Sequence, residues 1–358
     1  MRTIQVGLIG FGYAGQTFHA PLIRATAALR LVAVASSDPA KVHAALGDSV
    51  EVLSTEALIA RHDIDLVVIA TPNDLHHPQA LAALQAGRHV VVDKPCALDL
   101  AQVRALRDEA RRQRRLLSVF HNRRWDSDFL ALRRVIEQGL VGRPVELVSH
   151  FDRYRPQVRA RWREGVGPGS GLWLDLGPHL VDQMLQLFGM PAAITLDQAR
   201  MRDGALADDY VHASLRWTTG AHAGLRVHLH ASALTARPGA RFTLHGTAGS
   251  YSMEGLDGQE AALKAGADAA QIGAPSWGRD DRQATLWTST DDLVQATPMA
   301  LPPGAYPHYY AAVAQAITGQ GDLPVTADQA LAVQQVLDAG RQSALERREV
   351  ALAPLDQG

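Results

Sequence analysis

The first third of the chain alternates short apolar runs with Ala- and Leu-rich stretches. Residues 4–9, 31–35, 66–70, 89–92 and 116–120 are nearly continuous in Val, Ile, Leu and Ala, whereas residues 79–86 and 100–112 space their apolar positions as a helix does. A strand reads as continuously apolar when helices cover both faces of its sheet. Strand–helix alternation over this length therefore predicts a doubly wound parallel sheet, an α/β unit spanning residues 1–121.

After residue 121 the pattern changes. A helix is expected over 128–138, ending at Gly139, and a strand over 144–151. A glycine-rich loop at 165–171 leads to a helix near 178–188, with Pro178 in its first turn. Segments 192–201, 210–217, 222–231 and 241–245 then alternate polar and apolar residues. Successive runs of this kind predict a large, mostly antiparallel open sheet, so residues 122–358 read as a second α/β domain. Residues 255–285, rich in Gly, Ala and Asp, read as an irregular excursion, and helices return at 306–318 and 327–346.

Composition adds mainly exclusions. The chain has 358 residues, 47% hydrophobic and 20% charged, with a net charge of -2. That is ordinary for a globular protein and gives no basic excess for nucleic acid. The basic run 104–115 reads as the solvated face of a surface helix. Cys96 is the single cysteine, which excludes disulfide frameworks and cysteine-rich metal sites within one chain, and it reads as a small buried hydrophobe. Among 15 histidines, His228 and His230 would share one face of a strand, but no third ligand stands at a fixed spacing, so no metal is expected. The N-terminus enters a strand directly, without the layout of a signal peptide, and no apolar run approaches membrane length. A cytoplasmic protein is expected.

Chemistry first enters at Gly10-Phe11-Gly12-Tyr13-Ala14-Gly15, directly after the first strand and before a helical segment. In that context the first glycine permits a tight turn, the second lets backbone approach a pyrophosphate, and the third lets helix and strand pack closely. A purely structural turn is the competing reading. The second strand should end at the residue that reads the adenosine ribose, where an acid marks NAD specificity. Ser36 and Ser37 stand there instead, and Asp38 before Pro39 reads as a helix N-cap. Two hydroxyls with Lys41 one turn on suit a 2′-phosphate, so NADP is favoured over NAD. Thr71-Pro72-Asn73 lies at the carboxyl end of another strand, beside the expected cofactor, unless it is only a Pro-Asn turn.

Lys94 follows the strand 89–92 and Asp93. Lys41, Lys94 and Lys264 are the only lysines; every other cation is Arg. A lysine where arginine is the habit points to a need for an amine, which loses its proton on desolvation as guanidinium does not. The bland alternative is a charge emerging at a strand end.

The motifs Gly10-x-Gly12-x-x-Gly15, Thr71-Pro72-Asn73-x-x-His76, Val92-Asp93-Lys94-Pro95 and Gly171-x-x-x-Asp175-x-Gly177-x-His179-x-x-Asp182 occur in this order. Together they resemble the Gfo/Idh/MocA oxidoreductases over nearly the whole chain; Asp93 departs from the family's more usual Glu. The resemblance implies a Rossmann domain, a nicotinamide cofactor and a sugar, polyol or inositol substrate. Lys94 and His179 would be the acid–base pair, assisted by Asp175. His76, Asp93 and Asn122 join the expected cofactor residues, and Arg124 is expected at ribose or substrate. Within the family, the segments 36–38, 119–126, 151–156 and 174–180 are most similar to NADP-dependent scyllo-inositol dehydrogenases. The basic segment 153–163 is either a solvated loop or a cover in which Arg153, Tyr154 and Trp162 close over the substrate. Family members commonly pair through the open sheet, so a homodimer or homotetramer is expected. Rival readings are a non-catalytic NADP-binding regulator and an aldose or dihydrodiol dehydrogenase.

Overall fold

A computed structural model of the chain describes residues 3–290 and 293–353. The chain forms two compact units. The first comprises Met1–Asn122, Gly258–Gly278 and Ala305–Leu331, and the second comprises Arg123–Asp257, Arg279–Gly304 and Ala332–Gly358.

In the first unit the strands are β1 (Ile4–Ile9), β2 (Leu29–Ala35), β3 (Glu51–Leu53), β4 (Leu66–Ile69), β5 (His89–Val92) and β6 (Leu117–Val119). They pair in parallel in the order β3-β2-β1-β4-β5-β6. This is the doubly wound sheet that the continuous apolar runs predict, and every residue of β4 is buried. β3 escaped the sequence reading because three residues are too few to show a period. Strand order reverses between β1 and β4, which opens a crevice at their carboxyl ends.

The basic run lies on the helix Leu100–Gln113, capped by the Asp99 side chain. Its surface arginines are paired: Arg111 with Asp328 at 3.1 Å and Arg112 with Glu109 at 2.6 Å. Residues expected to be irregular instead hold two short helices, Gln259–Lys264 and Ala269–Ile272, which belong to this first unit. Their Gly- and Ala-rich composition hid a capping box formed by Asp268 and Gln271. The helix Pro307–Ile317 also joins the unit and buries Tyr309 and Tyr310 against Phe120, 4.9 and 5.9 Å between ring centroids.

The second unit holds β7 (Pro144–His150), β8 (Ala193–Ala199), β9 (Tyr210–Arg216), β10 (Arg226–Ser232), β11 (Phe242–Gly246), β12 (Gly249–Met253), β13 (Gln283–Thr290), β14 (Leu293–Ala300) and β15 (Val350–Ala351). Their order is β14-β13-β12-β11-β7-β10-β9-β8-β15, and only the β7–β10 pairing is parallel among the described residues. β9 shows the alternation of a sheet covered on one face: Val211, Ala213 and Leu215 are buried, while Tyr210, His212, Ser214 and Arg216 are half-buried. The covered face packs with Phe151, Trp173, Leu180 and Met184 in one core. Each such aliphatic side chain contributes about 1.5–3 kcal/mol on burial.

One helix boundary differs from expectation. The helix spans Leu172–Phe188, so Pro178 sits in its interior rather than its first turn. The start is set from a distance: the Leu172 amide donates to the Asp208 carbonyl at 2.9 Å, and the Trp173 amide to the Asp208 carboxylate at 2.8 Å. A cap supplied by a residue so remote in sequence leaves no local signature. Gly171 is required there, with φ at +98° and Asp208 Oδ1 only 1.9 Å from where a Cβ would stand.

Candidate active site

The glycine-rich turn shows why each glycine is present. At Gly10, φ is +94° and a Cβ would lie 2.7 Å from the Ala70 carbonyl at the end of β4. At Gly15 a Cβ would lie 2.1 Å from the Gly10 carbonyl oxygen. Gly12 is different, because nothing stands within 4 Å of its Cβ position. Two glycines are thus demanded by the fold, and the middle one borders open space where backbone can approach a diphosphate. The turn feeds a helix through Gly15–His19 and Ala20–Arg24. Phe11 is buried, whereas Tyr13 is exposed and donates to Glu260 at 3.0 Å, with Lys264 above its ring.

Ser36 and Ser37 follow the end of β2, and the Ser36 hydroxyl accepts the Asp38 amide at 3.1 Å. Asp38 caps the helix Pro39–Leu46 through the Lys41 amide, as its Asp-Pro context predicted. The Lys41 side chain reaches back to the glycine turn: its Nζ donates to the Phe11 carbonyl at 3.0 Å. Serine hydroxyls, an ammonium and the open Gly12 turn therefore belong to one neighbourhood.

Farther along the carboxyl rim, Asn73 is buried and opens the helix Asn73–Gln85 behind Pro72. The Pro72-Asn73 pair is thus a helix start rather than a free turn. The Thr71 hydroxyl donates to Gln79 at 2.7 Å. His76 is wholly buried, and its ring nitrogens lie 2.7 Å from the Pro95 carbonyl and 3.0 Å from the Thr71 carbonyl. It ties two rim loops together, so its contribution to a cofactor site passes through their backbones. Asp93 is buried and accepts the Lys94 amide at 2.8 Å, which holds the backbone of Lys94 at the mouth of β5. Cys96 is buried and its thiol pKa is pushed up to about 12 by desolvation, which leaves it inert. Asn122 is buried at the start of the turn Asn122–Trp125.

In the second unit, Asp175 lies in the first turn of the helix Leu172–Phe188, where the helix dipole favours a carboxylate. His179 follows one turn later on the same side and is buried, 6% exposed. Asp175 pairs with Arg163 at 3.3 Å. Asp175 and Arg163 line a shallow cleft with Arg153, Arg155 and Asp208. Burial, reinforced by Arg153, Arg159 and Arg161, lowers the Arg155 pKa to about 10, so it remains charged at neutral pH.

Of the proposed covering residues, Arg153 lines this cleft, whereas Tyr154 is 60% exposed outside its wall and Trp162 carries the Arg163 guanidinium stacked at 4.3 Å. Arg124, expected at ribose or substrate, is buried and spends two donors on Asp182, at 2.9 and 2.6 Å. Such a buried pair is costly to break, about 3–5 kcal/mol when one partner is removed.

Residues 4–121 match the model for the NAD-binding Rossmann fold of the Gfo/Idh/MocA oxidoreductase family, and residues 133–352 match the model for its C-terminal alpha/beta domain. The chain belongs to the Gfo/Idh/MocA oxidoreductases. It is 48% identical to the Escherichia coli oxidoreductase YdgJ, covering 98% of this chain and 99% of that one. It is 34% identical to the Bacillus subtilis scyllo-inositol 2-dehydrogenase (NADP(+)) IolW, covering 98% and 96%. Among solved structures it resembles YPO2259 from Yersinia pestis with a TM-score of 0.92 and 45% identity, covering 100% and 99%.

In this Gfo/Idh/MocA chain the structure also marks a residue that the sequence reading passed over. His19 is wholly buried on the helix leaving the glycine turn, and its Nδ1 lies 2.6 Å from the Tyr310 hydroxyl. Burial lowers its pKa to about 4, against an opposing pull from Asp93. His19, Asp93 and Tyr310 therefore share one electrostatic neighbourhood next to the Lys94 strand. The available signal was its spacing: His19 falls four residues after Gly15, one turn along the same helix. Tyr310, by contrast, is nearly three hundred residues away and carried no local cue.

Proposed function

We propose that this oxidoreductase uses NADP to interconvert a secondary alcohol and a ketone on an inositol, sugar or polyol. The observation that supports the cofactor most directly is the Lys41 ammonium held 3.0 Å from the Phe11 carbonyl, with Ser36 rather than an acid at the end of β2. A 2′-phosphate gains a cation and hydroxyl donors there and meets no carboxylate from Ser36. The relative IolW, named as NADP-dependent and acting on scyllo-inositol, supports the same cofactor and substrate class.

When bound, the nicotinamide supplies or accepts the hydride. The chain must then move one proton: oxidation of CH–OH gives the hydride to the cofactor and the hydroxyl proton to a protein base. Lys94 and His179 fill that role in this reading, and Asp175 orients the hydroxyl. Lys94 stands at the end of a buried strand, at the mouth of β5. Asn73 and Asn122 are buried polar groups that this reading gives to the cofactor site, Asn122 at the ribose or substrate.

The test is reduced-cofactor absorbance with NADP and NAD against inositols, aldoses and polyols. Turnover with NADP and an inositol supports the full reading. Tight NADP binding without turnover on any of them would replace it with a non-catalytic sensor.

A further inference from the structure

We propose that His150, Asp152 and His230, on the uncovered face of the second sheet, form a binding site for a divalent transition-metal ion of the zinc, cobalt or nickel class. Two rules of sheet geometry assemble it. Residues 150 and 152 share a side of an extended strand, and the parallel pairing of β7 with β10 sets His230 directly beside His150. Their ligand atoms all lie within 4.8 Å of one another.

The distances already resemble a coordination shell. His150 Nδ1 lies 3.0 Å from Asp152 Oδ2, and His230 Nε2 lies 3.4 Å from Asp152 Oδ1. Two ligands on one tetrahedral zinc, each at about 2.0–2.1 Å, stand about 3.3 Å apart. Closing the remaining His150–His230 gap needs rotation of surface imidazoles, not movement of strands. The nitrogen and oxygen donors suit borderline metals, and water completes a fourth position.

The surroundings hold the carboxylate in place. Asp152 is nearly buried, and its Oδ1 accepts the Ser232 amide at 3.1 Å, which fixes the carboxylate. Sequence spacing could not show this site, because its third ligand arrives through strand register.

The site lies wholly in the second unit and does not depend on the proposed reaction. The experiment is titration of the untagged, chelator-treated protein with cobalt(II), read by visible d–d absorption, followed by zinc displacement. One equivalent per chain is expected, unchanged in the remote surface variant His43→Ala. Asp152→Asn should weaken binding on the order of 10–100-fold, and His150→Ala with His230→Ala should abolish it. Circular dichroism checks folding. If His230→Ala misfolds, the more exposed His150→Ala carries the same comparison. Absence of saturable binding in the wild-type chain, or equal binding in the His150→Ala protein, would overturn the proposal.

Discussion

The two sheets place chemistry in different locations because they are covered differently. The parallel sheet of the first unit is buried on both faces, as the fully buried β4 and the buried β5 residues Val90, Val91 and Val92 show. Its central strands leave little free face for polar groups, so the candidate site residues lie where strands end: Gly10, Ser36, Thr71, Asp93 and Lys94. The mixed sheet of the second unit is covered on one face only. Its other face carries His150, His212, His228 and His230 across three adjacent strands. A strand end aims a group into a crevice, whereas an open face builds clusters through register.

The largest effect should come at a strand end. Lys94→Ala is expected to lower kcat on the order of 10²–10⁴-fold, with NADP affinity changed by less than about tenfold. Stopped-flow turnover and fluorescence titration separate the two; intact turnover would remove Lys94 from the chemistry. The glycine turn sharpens the same contrast. Gly15→Ala drives a methyl against backbone and should cost about 3 kcal/mol of stability. Gly12→Ala enters open space, so its melting temperature should match the wild type while NADP binding weakens by about tenfold or more. Equal melting losses in both variants would contradict the division between structural and ligand-facing glycines.

His19 offers a pH test in the buried region. Its folded pKa is lowered to about 4 from an ordinary 6.5, so the unfolded chain binds more protons between those values. The contribution of neutral His19 is complete above pH ~6.5 and fades as pH falls toward ~4, a change of about 3 kcal/mol at most. Thermal melts at several pH values should therefore show a shallower acid decline for His19→Gln than for the wild type. Parallel curves would mean that His19 is not buried as a neutral ring.

What could be read in the sequence follows the range of each signal. β1, β5 and the helix Ala327–Glu346 were legible to the residue because period and flanking turns are local. Asp38 was legible as a cap because its partner lies three residues on. The start of Leu172–Phe188 was not, since Asp208 supplies its cap, and the local Gly177-Pro178 pair pointed to the wrong turn. Gly177 serves packing instead: a Cβ would sit 2.9 Å from the Trp173 ring. The β13–β14 hairpin was also missed, for β14 is largely exposed, β13 is mostly half-buried, and neither shows an apolar stripe. In the candidate site, the glycines and Lys94 stood out by type and place. Arg124, expected at ribose or substrate, gives two of its donors to the buried Asp182, and His19 stayed hidden because Tyr310 lies far along the chain.

The smallest expected effect gives the cleanest discrimination, since Lys41 has two separable jobs. Its backbone amide completes the Asp38 cap, and its side chain reaches the Phe11 carbonyl. Lys41→Ala removes only the second. If the ammonium serves a 2′-phosphate, the KM for NADP should rise about tenfold, matching one lost charge-assisted contact of about 1.5 kcal/mol. The KM for NAD should stay put, because NAD has no phosphate there. If the ammonium merely braces the glycine turn, both cofactors should weaken together. Ser36→Asp adds the opposite sign: its carboxylate can still accept the Asp38 amide that Ser36 accepts at 3.1 Å, yet it would repel a phosphate and receive ribose hydroxyls. The double variant should prefer NAD more strongly than either single change. A preference that moves with Ser36→Asp but not with Lys41→Ala would assign the 2′-position to the end of β2 alone.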